Sequence, residues 1–379
     1  MGVFTRALNV IGNNITNANT PGYATQSLTL TAKLFEPDAG ITGGVMAGSL
    51  ISSRSEYLEQ AVRSQTQLLG SAQQTATDLG QIAPLFDPTS TTGISSSMDN
   101  FFTSVSQLGV NPNDSTDRQA VLSTAGQLAN SINASAAGVN LVATNVSTQT
   151  GQVVQNINQL TAQIAGINKQ YEANAGSLQD PGLDAQMHSA LENLSALTNM
   201  TTLKASDGTY SVFIGGQTPA VIGSTQYAIS STTAASPQAI IFDSKGNDIT
   251  SQITQGSLGA LVQEKNVTIP GYLNNLNTLA SSLADTVNTQ LSQGVDQNGN
   301  TPTTNLFTYD QTSDAAASLS VTAGFTPDQI AAASSTSPGG NGNIIAVAQL
   351  ATAPAVNGFT FTQFYGNLGA QVGNDVATA

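Results

Sequence analysis

At 379 residues the chain is long enough for two or three domains with cores of their own. Only 8% of its residues are charged, against about 25% in an average globular protein, so Ser, Thr, Asn and Gln make the surface polar rather than ionic. The net charge of −14, with no cluster of Lys and Arg, argues against nucleic acid and anionic membranes as partners, and the absence of cysteine removes disulfides, thiolate catalysis and thiolate metal sites. No run approaches about eighteen consecutive apolar residues. The start carries no basic, long-apolar leader, so the chain is expected to be cytoplasmic or exported without a cleaved signal. Charge is also uneven. In the first 65 residues Arg6, Lys33, Arg54 and Arg63 balance Glu36, Asp38, Glu56 and Glu59, so the whole acidic excess lies beyond them. A neutral amino end beside an acidic body suits a segment packed into an assembly and a body that faces water.

The first element is a short apolar helix over 8–19. Leu8, Ile11, Ile15 and Ala18 recur at spacings of three and four and share one helical face. A helix of two to three turns is marginal alone in water, and Asn13, Asn14, Asn17 and Asn19 weaken it by competing for backbone hydrogen bonds. Pro21-Gly22 suits the centre of a type II turn and ends the helix. Residues 1–23 are therefore expected to be a helix and turn, disordered until a neighbour completes them. Residues 24–54 alternate weakly and are rich in glycine, which predicts an extended connector with room for a hairpin.

Residues 55–200 read as the first part of a helical bundle. Leu58, Ala61, Gln65, Leu69, Ala72, Ala76, Leu79 and Ala83 mark one helix, bounded by Pro84. Shorter helices are expected over 98–108 and 183–199. Between them Val121, Ala125, Leu128, Ile132, Ala136, Val139, Val142, Val146, Val153, Ile157, Leu160, Ile164, Ile167 and Tyr171 alternate threes and fours, with Thr150 in one slot. A continuous helix over 119–171 would be roughly 80 Å long, and its interior glycines make it dependent on partners that cover the seam. Residues 201–255 change to short β-prone runs at 202–205, 209–214, 220–222, 226–230 and 238–243, separated by turns such as Ser206-Asp207-Gly208 and Lys245-Gly246-Asn247. Residues 256–295 supply a further bundle helix, with Ile269, Leu273, Leu276, Ala280, Leu283, Val287 and Leu291 on its seam and Pro270 near its start. Residues 296–325 are a loop with a strand near 319–322. Residues 326–379 are the last part of the bundle, where Phe361, Tyr365, Leu368, Val372 and Val376 begin a helix that the chain end cuts short. The expected class is mainly α with a smaller β part: an elongated bundle of long antiparallel helices with an inserted β-hairpin-rich subdomain.

Chemistry is sparse. His188 is the only histidine, which rules out a His-His metal pair within one chain, and no Gly-x-Ser-x-Gly elbow or phosphate-binding loop occurs. His188 reads as a solvated or half-buried structural residue, and the pairs Asp180/Asp184 and Asp184/Glu192 as a solvated helix start rather than a glycosidase dyad. Asp296-Gln297-Asn298-Gly299-Asn300 opens like a calcium loop, but Thr301 stands where such a loop needs Gly, so a plain Asn-Gly turn is expected. With 5% aromatics and no tryptophan, Phe101, Phe102, Phe359, Phe361, Phe364 and Tyr365 are assigned to core packing. No catalytic residue, cofactor or metal ligand is expected.

The run NNITNANTPGY at 13–23 closely resembles the amino-terminal signature of bacterial flagellar axial proteins, the rod, hook and hook-associated subunits. Ala24-Thr25-Gln26-Ser27, DGTYSVFIGG at 207–216, GSLGAL at 256–261, IAAAS at 330–334 and FYGNL at 364–368 resemble the hook-associated protein 1 family within that group. The resemblance implies a non-enzymatic structural subunit at the hook–filament junction, extracellular in the bacterial flagellum after unfolded export through the type III channel. It implies that amino- and carboxyl-terminal helices pair in an inner tube. That role falls on Leu8, Ile11, Ile15 and Ala18, with Asn13, Asn14, Asn17 and Asn19 making polar contacts between subunits and Thr20, Pro21, Gly22 and Tyr23 turning into the connector. The implied partners are copies of itself in a ring, the hook protein, the second hook-associated junction protein, and a cytoplasmic export chaperone that binds the carboxyl-terminal region. Family members end in a long helix rich in Leu, Ala and Gln that is not seen before Ala379, so the chain reads as shortened there, with chaperone binding lost. Two alternatives stay open: another axial subunit of hook or rod type, whose middle is richer in strand than helix, or an extracellular glycan-binding or hydrolytic protein on the same framework.

Overall fold

The computed structural model describes residues 2–174, 176–177, 180–233, 235–311 and 314–379; the parts of the expected segments that fall on Met1, Ala175, Leu178, Gln179, Ala234, Thr312 and Ser313 lie outside the described residues. The chain begins with α1 (Gly2–Thr16), a hairpin of β1 (Gln26–Glu36) and β2 (Ile41–Ser52), and the helices α2 (Glu56–Ile82), α3 (Ile94–Val110), α4 (Ser115–Ala173) and α5 (Pro181–Leu197). Strands β3 (Met200–Lys204), β4 (Tyr210–Ile214), β5 (Thr218–Ile222), β6 (Thr225–Gln226), β7 (Ser230–Ser231) and β8 (Ile241–Phe242) follow, then α6 (Gly256–Gln263), a π-helical segment Glu264–Thr268, and α7 (Ile269–Leu291). The rest is β9 (Gly294–Val295), β10 (Phe307–Thr308), α8 (Ala315–Ser318), β11 (Ser320–Val321), β12 (Ala333–Ser334), α9 (Gly342–Gln349) and α10 (Phe361–Thr378). Helix accounts for 58% and strand for 15%, so the mainly α expectation stands.

The segments expected at 55–200, 201–255 and 256–295 are distributed over two units. The chain forms two interleaved units, Met1–Gln74 with Ser147–Gln263 and Thr75–Val146 with Glu264–Ala379. The boundaries cut α2 and α4 and fall at the π-helical segment, because a long helix can pack against different neighbours along its length while remaining one covalent element.

In the first unit the second half of α4 and all of α5 share a core with the antiparallel sheet β3-β4-β5-β6. Met200 pairs with Ile214 and Lys204 with Tyr210, so the alternating residues Tyr210, Val212 and Ile214 point inward onto Ile157, Ile164 and Leu191. The sheet forms one wall of this core, as expected of short strands whose apolar face needs cover. The α4 seam is buried at the expected positions except Val153 and Leu160, which are half-buried, with Val154 in the core beside them. In the second unit Phe101 meets Phe102 and Phe307 edge-on, with ring centroids 5.1 and 5.7 Å apart, and Phe361 stacks on Phe102. The α7 seam is buried except half-buried Leu273, and Tyr365, Leu368 and Val372 of α10 are buried; Phe364 is only half-buried and Phe359 is exposed, contrary to their assignment as core.

The unusual polarity is partly spent inside. Asn158 donates to the Ile229 carbonyl and accepts from its N–H (2.8 and 3.0 Å), Asn168 treats Tyr210 likewise (2.8 and 2.9 Å), and Asn288 treats Phe307 likewise (2.8 and 3.0 Å). A carboxamide offers the same donor and acceptor as a neighbouring strand, so each helix-borne Asn satisfies an extended residue that would otherwise bury both groups unpaired. Buried Arg118 does comparable work, donating to the carbonyls of Pro112, Pro327 and Ile330.

Candidate assembly interface

Helix α1 carries its stripe outward. Leu8, Ile11 and Ile15 are 67%, 53% and 72% exposed, joined by Phe4, while the opposite face buries Val10. Val3 and Ala7, four residues apart from one another and with Ala7 three from Val10, are half-buried on the same inward face. The helix ends at Thr16, and Ala18 lies exposed in the turn that follows.

The asparagines divide in use. Asn14 donates to the Gln26 carbonyl at 2.8 Å, and its oxygen accepts from the Gln26 N–H and the Tyr23 hydroxyl at 3.0 and 2.8 Å. All three bonds lie within the chain. Asn17 donates to the Asn13 carbonyl and accepts from Thr20, closing the helix end. Asn13 and Asn19 keep exposed side chains. The Tyr23 N–H donates to the Thr20 carbonyl across Pro21-Gly22, and Gly22 has a φ of 74°, as a type II turn requires.

The same turn is tied to the first unit. A Cβ at Gly22 would overlap the Ala185 carbonyl oxygen, so α5 and the turn touch backbone to backbone. Arg54 donates to the Gly22 carbonyl and also reaches Glu59 at 2.6 Å and Asp184 at 3.4 Å. Behind it Arg63 pairs with Glu56 at 3.1 Å, and Tyr210 donates to Glu56 at 3.1 Å. His188, expected to be solvated or half-buried, is 2% exposed in this cluster. Its ring nitrogens lie 3.6 Å from Glu59 and from Asp184, contacts that would favour the charged form, but Arg54 and Arg63 already engage those carboxylates. Burial first, then the charges of Arg54 and Arg63, push His188 down to about 3, and it is neutral. Asp180 is the expected exposed helix start, capping α5 through the N–H groups of Gly182 and Leu183.

Two more apolar surfaces adjoin these elements in sequence. The connector is a full antiparallel hairpin of 11- and 12-residue strands, with Leu30 and Ala32 opposite Ala47 and Val45 on one face, and Leu30, Leu34, Ile41 and Val45 are all exposed. The first half of α2 is inverted relative to its expected seam, whereas Leu79 farther along is buried as expected. Leu58, Ala61, Gln65 and Leu69 face outward with Tyr57, Val62 and Leu68, whereas Arg63 and Gln67 are buried, the latter donating to the Met200 carbonyl. Gly70 allows this by letting the backbone of Ala196 lie against the helix. Among the described residues, sixteen of the twenty-three large hydrophobic side chains that are exposed lie between Phe4 and Leu69. That concentration exceeds what scattered surface apolar residues explain.

Among the described residues no group of three or more His, Cys, Asp or Glu could hold a metal ion, and no helix is long and apolar enough to cross a membrane. Asp296 accepts from the N–H groups of Asn298 and Asn300 around Gly299, which is the plain turn expected there.

The family model described as "Flagellar hook-associated protein FlgK helical domain" matches residues 79–307, and that described as "Flagella basal body rod protein" matches residues 4–23. The flagellar hook-associated protein 1 of Bacillus subtilis (strain 168) is 26% identical over 332 residues, covering 77% of this chain and 65% of that protein. The protein of the same name from Salmonella typhimurium (strain LT2) is 27% identical over 307 residues, covering 78% and 55%. The chain thus spans between about half and two thirds of the length of the curated relatives it matches. In fold it is similar to the flagellar hook junction protein FlgK from Burkholderia pseudomallei, with a TM-score of 0.74 at 18% identity over 85% of this chain and 96% of that one. With a family model covering more than half of its length, the chain belongs to the flagellar hook-associated protein FlgK family.

Proposed function

We propose that the chain is a structural, non-catalytic subunit at the hook–filament junction of the bacterial flagellum, self-assembling through its terminal helices after export through the flagellar type III channel. The observation that carries the reading is the outward stripe Phe4, Leu8, Ile11 and Ile15, which is apolar, helical and uncovered. A stripe of this kind, on an arm held by hydrogen bonds rather than by a core, gains most of its burial only when a second helix lies on it. The partners in this reading are copies of the chain in a ring, the hook protein and the second junction protein. Asn13 and Asn19 supply polar contacts between subunits; Asn14, Gly22 and Tyr23 hold the arm. The outward seam of α2 is a second surface for an amphipathic helix. A helix content well above the strand content disfavours a hook or rod subunit with a β-rich middle.

The test is binding to the ends of isolated hooks, read by electron microscopy. The chain should decorate hook ends, and Leu8→Asp with Ile15→Asp should abolish decoration while leaving the melting temperature of the free chain in place. Equal decoration by the double variant would remove α1 from the interface.

A further inference from the structure

We propose that Arg54 is a positioning residue that sets the direction of α1 relative to α5, by clamping the turn at 20–23 onto α5. Arg54 stands in the short step between β2 and α2, and its side chain is 11% exposed. Its guanidinium serves three acceptors from three places in the sequence: the Gly22 carbonyl, Glu59 on α2 and Asp184 on α5. A planar fork with five donors can hold three such acceptors in one arrangement, which a lysine ammonium on a flexible stem cannot reproduce.

The acceptor is as constrained as the donor. Gly22 adopts a φ of 74° and lies against the Ala185 carbonyl, so any side chain there would be strained and would push the turn off α5. On the other side of the turn, Asn14 ties the last turn of α1 to Gln26 at the start of β1, with Tyr23 on the same oxygen. Helix, turn and strand therefore move together, and Arg54 joins that piece to α5. Arg63, 3.1 Å from Glu56 and 3.9 Å from Glu59, keeps the carboxylate layer behind Arg54 in place. The consequence for assembly rests on the proposed function: an arm held in one direction offers its stripe to the next subunit without first losing the freedom of a loose tether.

The chain lacks cysteine, so Asn9→Cys on α1 and Glu192→Cys on α5, both exposed, can carry spin labels in the full chain for pulsed dipolar spectroscopy. The parent should give one narrow distance distribution. Arg54→Met and Gly22→Ala should widen it about twofold or more, with circular dichroism and melting of the body retained. Arg54→Lys keeps the charge, and so serves if Arg54→Met fails to fold; it too should widen the distribution. A parent distribution that is already broad, or an unchanged width in folded Arg54→Lys and Gly22→Ala, would overturn the clamp. Hook-end binding is read separately: a narrow parent that does not bind hooks leaves the clamp standing and removes the assembly reading, whereas a broad parent that binds does the reverse.

Discussion

The α4 seam from Val121 to Tyr171 is buried at nearly every position, while the α2 seam from Leu58 to Leu69 faces water with Arg63 and Gln67 buried behind it. Both seams alternate threes and fours, so the repeat alone did not distinguish them. An apolar repeat states that a helix needs cover; where the cover comes from depends on which face the chain's own elements reach. For α4 that cover is internal, from α5 and the β3–β6 sheet in one unit and from the aromatic-rich second unit along the other half. For the first half of α2 the chain covers the polar face, through Met200 against Gln67, Tyr210 against Glu56 and Arg54 against Glu59, and leaves the apolar one open.

The contrast can be broken most sharply at Ile157, which is fully buried in the first unit. Ile157→Asp should destabilise that unit by more than about 4 kcal/mol, because an unpaired carboxylate has no partner in that core; urea denaturation followed by circular dichroism measures it. A midpoint unchanged from the parent would mean that the α4 seam is not what holds the unit.

Next come two buried titratable groups with shifts of opposite sign. In the second unit, burial first and the neighbouring Asp78 carboxyl next push Glu264 up to about 9. Between its ordinary value near 4.5 and 9 the folded chain keeps a proton that the unfolded chain has lost, so stability falls as pH rises through that window, by on the order of 3 kcal/mol at pH 7. Glu264→Gln should flatten this slope in melting experiments and raise the melting temperature at pH 8. In the first unit His188 is held neutral down to about 3, so the unfolded chain binds the proton first and stability falls as pH drops below 6.5, by roughly 2 kcal/mol at pH 5. His188→Asn should remove that acid loss. Acid therefore weakens the first unit and alkali the second, so Glu264→Gln should change only the alkaline loss and His188→Asn only the acid loss; either variant altering the opposite limb would contradict the assignment.

The smallest effect is expected on the outward seams. Leu58→Gln and Leu69→Gln should change the stability of the free chain by no more than about 0.5 kcal/mol. A loss above about 2 kcal/mol would show that α2's exposed face is already covered within the free chain.

Much of the helical framework was legible because long uninterrupted periodicity leaves few alternatives: α4, α7 and α10 follow the predicted seams, and Pro84 marks the end of α2. The turn at Pro21-Gly22 was legible from its chemistry. The hidden parts depend on contacts far apart in sequence. Arg54, Glu59, Asp184 and His188 form one cluster across more than a hundred residues, and no local pattern joins them. The asparagines read as weak helix formers, whereas Asn14, Asn158, Asn168 and Asn288 each satisfy the backbone of an extended residue, a role visible only once that residue is in place. The stripe on α1 was found by spacing, but the bonds that join Asn14 to Gln26 and Tyr23 were not.

The central claim is that the α1 stripe is open in the free subunit and covered in the flagellum. Ile11→Cys introduces one cysteine into a chain that has none, in the middle of that stripe. Maleimide should label it fast in the free protein and should fail to label it in protein bound to hook ends. Equal labelling in the free and bound states would contradict the account.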